Sequence, residues 1–231
     1  MMIGVYDYTV ILTYLSTLSG VIGIIVTMTG IGHPYCGTMF LMISGLLDGF
    51  DGKVARTKKN RSDFEKEFGV QIDSLSDLIC FGVLPASIGI AQLRVSGLLT
   101  DLGRKAVKPD NYSFVLLLIT IAAFYVLAAL IRLAYFNSTS DQRAEEAMIK
   151  GKAYFTGLPV TSAALIFPLT LVLHWILSAD LTVFYFWLML IVAVLFIGNF
   201  KVPKPNKKQF AVILVIGLVE FIGTLLILFC A

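Results

Sequence analysis

Apolar stretches of about 20 residues, enough to cross roughly 30 Å of hydrocarbon, recur along the whole of this chain. Such stretches leave few options, because a backbone in lipid must satisfy its own hydrogen bonds and so forms helices or closed barrels. Runs of this length read as membrane-spanning helices. Of the 231 residues, 58% are hydrophobic and 14% charged, against roughly 25% charged in soluble domains. The reading is an all-α, polytopic helical membrane protein forming a single integral membrane domain over 1–231, with no soluble domain.

Seven spans are expected, at 8–30, 35–52, 71–97, 112–137, 157–178, 181–199 and 209–230. Gly32 and Pro34 interrupt the first pair, and Ser178, Ala179 and Asp180 make a tight hairpin between the fifth and sixth. Pro159 and Pro168 are expected to kink the fifth helix. The N-terminus lacks a basic region and a cleavable apolar stretch, so the first span is read as retained. Lysine and arginine set the orientation. The loops at 53–66, 138–156 and 200–208 hold thirteen of them, whereas the opposite side holds Arg104, Lys105 and Lys108. The expectation is a multi-pass protein of the cytoplasmic membrane with its N-terminus inside. Lys58, Lys59 and Arg61 are assigned to this positive-inside signature alone. A net charge of +3 gives no reason to expect nucleic acid, and Cys36, Cys80 and Cys230 show no disulfide or zinc spacing.

Against this apolar background stand Asp48, Asp51, Asp73 and Asp77. A carboxylate at bilayer depth costs roughly 2.5–3.5 kcal/mol on insertion scales, which makes each one a candidate functional residue. The i, i+3 and i, i+4 spacings put each pair on one helical face, and two such faces turned together form an oxygen-only cage. Left alone the four charges would repel; oxygen ligation favours Mg²⁺, Mn²⁺ or Ca²⁺ over zinc. Four carboxylates can hold two such ions, an arrangement suited to displacement at phosphorus. Gly52, Ala55 and Gly69 leave space beside them and Arg56 adds a guanidinium, together pointing to a lipid-borne nucleotide diphosphate.

The eight positions Asp48, Asp51, Gly52, Ala55, Arg56, Gly69, Asp73 and Asp77 spell D-x2-D-G-x2-A-R followed by G-x3-D-x3-D. In this the chain resembles the CDP-alcohol phosphotransferases, although the twelve residues between Arg56 and Gly69 make a longer linker than is common there. The resemblance implies a six-helix catalytic core within the seven spans, and two divalent cations, Mg²⁺ or Mn²⁺. Asp48, Asp51 and Asp73 would hold the metals, with Asp77 both ligand and catalytic base. Gly52, Ala55, Arg56 and Gly69 would line the CDP-lipid pocket.

Phe68–Ala86, Arg132–Asn137 and Tyr154–Pro159 are further similar to the bacterial and archaeal phosphatidylserine synthases of that family, with Tyr135 standing where a second arginine is usual. This implies transfer of a phosphatidyl group from CDP-diacylglycerol, or an ether-lipid analogue, to L-serine with release of CMP. Arg132, and secondarily Lys152, are the acceptor-binding candidates, for the serine carboxylate. A homodimer among membrane lipids is the assembly common among relatives. The alternatives are an acceptor such as inositol phosphate or glycerol phosphate, or a cation-coupled transporter. His174 is read as a hydrogen-bonded core residue, and Glu220 has no assigned role.

Overall fold

Helix α1 (Tyr8–Thr29) is inside-out in the sense that lipid imposes. Its buried face is small and polar, with Thr13, Ser16, Gly20, Gly23 and Thr27 at helical spacing, while Ile11, Leu15, Leu18, Ile22 and Ile25 point outward. Small residues let backbones approach where no hydrophobic drive between helices exists. A Cβ on Gly23 would sit 2.7 Å from Cβ of Phe40, and one on Gly45 would sit 2.5 Å from Cβ of Ala164. The Asp7 side chain caps α1 by accepting from the Thr9 amide at 2.9 Å, and Gly30, at φ 70°, ends it.

The computed structural model describes residues 3–30, 33–96, 109–140, 142, 145, 148, 154–203 and 206–230. After α1 come α2 (Tyr35–Ala55) and α3 (Asp63–Asp77), which continues through a π-helical turn, Leu78–Val83, into α4 (Leu84–Val95). Then follow α5 (Pro109–Ser138), β1 (Tyr154–Thr156), a 3-10 turn at Val160–Ser162, α6 (Ala163–Ile176), α7 (Thr182–Ile197), β2 (Lys201–Pro203) and α8 (Lys207–Cys230). With α3–α4 counted as one segment, the described residues hold seven helical segments, one at each expected span. By length and composition α1, α3–α4, α5 and α8 can cross a membrane; α6 and α7 are shorter, and α2 is less apolar because Asp48, Asp51 and Lys53 fall in its last turns.

Two boundaries differ from expectation. The third span begins at Asp63 rather than 71, because Ser62 and Glu65 form a reciprocal capping box that starts the helix in a polar stretch. Pro159 lies ahead of α6, before the 3-10 turn, so it cannot kink that helix; Pro168 lies within it. The short antiparallel pair β1–β2, unforeseen, sets Phe155 opposite Val202 and ties the approach to α6 to the exit from α7. Gly157 closes this junction at φ 71°, where a Cβ would come 2.8 Å from the Phe196 carbonyl.

The π-turn and Pro85 have a visible consequence. Proline has no N–H, so the carbonyl four residues earlier, Phe81 O, lacks its helical donor. Tyr125 Oη donates to it at 2.6 Å, and Tyr185 Oη donates to Pro85 O at 2.9 Å. Both tyrosines stand in an aromatic core shared by α4–α7, with ring centroids 5.5 Å apart for Tyr125–Phe167 and 5.0 Å for Phe167–Tyr185. That core holds α3–α4 in place, and hence two of the aspartates.

Candidate active site

The end of α2 and the length of α3 bring Asp48, Asp73 and Asp77 together, with one oxygen of each inside 4.8 Å of the others. All three are half-buried. Asp51 is not part of this trio. It stands beside it, within hydrogen-bonding reach of Asp73, and its Oδ2 accepts from Thr13 Oγ1 of α1 at 3.0 Å. The expected meeting of four carboxylates at one centre is therefore three plus one. The reason is the i, i+3 step on α2, which fans Asp51 away from Asp48 toward α1.

A layer of small hydroxyls backs the carboxylates. Thr17 Oγ1 lies 2.8 Å from both Ser76 Oγ and Thr13 O; Ser16 and Ser44 exchange hydroxyl-to-carbonyl bonds at 3.2 and 3.1 Å. Cys80 Sγ, a free thiol, donates to Ser16 O at 3.3 Å. These residues satisfy one another, so α1, α2 and α3 close up without bulky side chains between them. On the outer flank of α3, Asn137 Nδ2 of α5 donates to Ser74 Oγ at 2.8 Å.

Among the described residues, the ion pairs join Lys58 to Asp7 (2.6 Å) and Glu65 (2.7 Å), and Lys66 to Asp63 (2.9 Å). None reaches the trio. Three clustered carboxylates with no ammonium or guanidinium against them suit a hard divalent cation, and the all-oxygen donor set fits Mg²⁺ or Mn²⁺. The acidic cluster is thus compatible with metal binding.

Next to the trio a cavity of about 270 Å³ opens between α1, α2 and α3. Its walls include Asp51, Gly52, Ala55, Arg56, Gly69 and Asp73, six of the eight signature positions. Gly52 faces open space, its nearest neighbour being Arg56 Nη2 at 3.7 Å from a Cβ placed there, and Arg56 Nε donates to Gly52 O at 2.7 Å. The sequence reading missed six wall residues: Thr9, Val10 and Thr13 of α1, Arg61 of the α2–α3 connection, and Lys66 and Val70 of α3. Arg61 is therefore more than a positive-inside charge. Outside the spans, hydrogen bonds from Lys58 and then Thr9 hold the Asp7 carboxyl down at about 2, which pins the start of α1 to the same connection.

Of the acceptor candidates, Arg132 is buried near the end of α5, its Nε donating to the Leu158 carbonyl and its guanidinium 5.6 Å from the Phe136 ring. It does not reach out to lipid headgroups. Lys152 lies outside the described residues. His174 is hydrogen-bonded as expected, Nδ1 accepting from the Leu181 amide at 3.0 Å across the α6–α7 hairpin, but it is half-buried and not in the core. Glu220 is buried, and its Oε2 has no partner among the described residues.

The CDP-alcohol phosphatidyltransferase family model matches residues 9–198, which takes in every wall of this cavity. The chain belongs to that family. It is similar to the CDP-diacylglycerol–serine O-phosphatidyltransferase of Helicobacter pylori, at 27% identity over 84% of this chain and 73% of the relative. The enzyme of the same name from Saccharomyces cerevisiae is 34% identical over 67% of this chain and 50% of its own length. The archaetidylserine synthase of Methanothermobacter thermautotrophicus is 30% identical over 85% and 69%. No solved structure matches. This CDP-alcohol phosphatidyltransferase thus has six of its eight signature positions on one cavity wall and the other two, Asp48 and Asp77, in the adjoining carboxylate trio.

Proposed function

We propose that this enzyme transfers the phosphatidyl group of a CDP-diacylglycerol-type lipid to the hydroxyl of L-serine, releasing CMP at the cytoplasmic face of the cell membrane. The observation that carries it is the juxtaposition of the Asp48–Asp73–Asp77 trio with a cavity walled by Gly52, Ala55, Arg56 and Gly69. The names of the relatives favour serine. One turn before Asp48, Gly45 and Leu46 border a separate apolar cavity of about 280 Å³ closed by α6 and α8, a fitting place for the lipid chains.

In the reaction the serine oxygen forms a bond to the lipid-side phosphorus, and the bridging oxygen leaves with CMP. Two divalent cations held by Asp48, Asp51, Asp73 and Asp77 would neutralise charge on the diphosphate oxygens when bound. Asp77 takes the hydroxyl proton as the new bond forms; a positioned base contributes about 10²–10⁴-fold. Thr13 fixes the rotation of Asp51, and Arg56 meets the nucleotide phosphate at the mouth. Arg132 receives the serine carboxylate, its planar group oriented by Leu158 O and the Phe136 ring, with Lys152 a second acceptor contact.

An acceptor screen tests this reading. Purified protein with CDP-diacylglycerol and Mn²⁺ should release CMP with L-serine and not with inositol phosphate or glycerol phosphate. Turnover with a phosphorylated acceptor alone would move the enzyme to another branch, and cation flux in sealed vesicles without nucleotide would favour a transporter. Arg132→Ala should raise the KM for serine about tenfold or more, the worth of one charge-assisted bond, while the KM for CDP-lipid holds.

A further inference from the structure

The α2–α3 connection carries Lys58, Lys59 and Arg61, with Lys66 in the first turn of α3, and these do not behave alike. Lys58 is committed to Asp7 and Glu65, and Lys66 pairs with Asp63. Lys59 is exposed and does not line the cavity. Arg61 turns inward. Its Nη2 donates to Glu65 O at 2.9 Å, which holds the guanidinium against the first turn of α3. The same nitrogen lies where a side chain on Gly69 would be, 2.6 Å from a Cβ built there. The glycine at 69 thus makes room for a guanidinium as well as for ligand.

Its Nε is sealed from solvent and has no hydrogen-bond partner among the described residues. A cationic donor hidden from water without an acceptor is costly, and an arginine carries five such donors in a rigid fork. The nearby carboxylates do not satisfy it, since no ion pair to Arg61 is present among the described residues. The guanidinium nevertheless forms part of the cavity wall, where an anion entering the cavity brings acceptor atoms to the fork.

We infer that Arg61 is a nucleotide-binding residue, its guanidinium at the cavity wall donating to the cytidine diphosphate part of the lipid substrate. The inference rests on the proposed reading of the cavity as the CDP-lipid site and adds a residue the signature lacks. Asp51 and Asp73 at one wall would hold cations that attract the diphosphate, and Arg61 and Arg56 grip it from the connection side. The long α2–α3 connection of this chain supplies that second guanidinium.

The test is CDP binding to the purified full-length protein in Mn²⁺, by calorimetry, for wild type, Arg61→Ala, Arg61→Lys and Lys59→Ala. Arg61→Ala should weaken CDP binding about tenfold or more, the usual worth of a bond to a charged donor. Arg61→Lys should recover only part of it, because an ammonium on a flexible stem cannot reproduce the fork. Lys59→Ala should bind CDP as wild type does. Mn²⁺ affinity without nucleotide, read by electron paramagnetic resonance, should be the same in all four, as should the melting temperature.

CDP binding by Arg61→Ala equal to wild type overturns this inference alone. A parallel loss of Mn²⁺ affinity or of melting temperature in Arg61→Lys as well as Arg61→Ala also overturns it, since the residue would then act through the carboxylates or the fold. A wild type that binds no CDP overturns the cavity reading, and this inference with it.

Discussion

Two buried regions of this protein are built on opposite rules. Between α1, α2 and α3 the interior is made of hydroxyls, a thiol, glycines and carboxylates, joined by directional bonds such as Thr13–Asp51 and Thr17–Ser76. Between α4, α5, α6 and α7 it is made of rings: Phe81, Tyr125, Phe167, Tyr185, Phe186 and Phe196 are all fully buried. In the first region three carboxylates crowd together, a repulsion that divalent cations would offset. The second has no charge to accommodate and is free to pack for rigidity. The aromatic region holds the α3–α4 segment through Tyr125 and Tyr185, and α3 carries Asp73 and Asp77 into the first region.

Substitutions can break that contrast, beginning with the largest effect. Asp77→Asn should lower turnover by about 10²–10⁴-fold, the range of a lost general base. Its melting temperature without metal should not fall, because one repelling charge has gone; CMP release and thermal unfolding check both halves. Phe167→Ala in the aromatic region should do the reverse, costing about 3–5 kcal/mol of stability while the KM values of correctly folded protein hold. A fall in catalysis without loss of stability there would erase the division of labour.

Tyr125→Phe sharpens the comparison with a smaller change. It keeps the ring and leaves Phe81 O without a donor, costing about 1–3 kcal/mol by unfolding measurements. The smallest effect is expected at Asp7. Its carboxyl titrates at about 2 when folded, against about 3.9 in an unfolded chain. It therefore stabilises above the unfolded value, and that contribution fades as pH falls through the folded one. The melting-temperature gap between wild type and Asp7→Asn should be full near neutrality and vanish toward pH 2.

What could be read beforehand followed from where the physics was local. Helix spans and the acidic faces are written in period and spacing, so the trio, Gly52, Ala55, Arg56 and Gly69 could be placed together from residues alone. Asp51 was assigned to the common centre because spacing gives a face but not its rotation against α1; the Thr13 hydroxyl that draws it aside is thirty-eight positions away. Ser62 and Glu65 did announce the start of α3, yet the polar stretch around them resembled a loop. Arg61 looked like any other basic residue of an inner loop. Only the packing of the connection against Gly69 separates it from Lys59, and no periodicity encodes that. The π-turn is equally silent in sequence, since a single widened turn leaves no pattern of its own.

The central claim, that facing carboxylates of α2 and α3 grip divalent cations for a nucleotide substrate, is tested most directly by counting Mn²⁺. Equilibrium binding to the purified protein with CDP present should give two ions per chain, with Asp73→Asn and Asp48→Asn each losing at least one. Mn²⁺ binding that is absent in the wild type, or unchanged in both variants, would contradict the account.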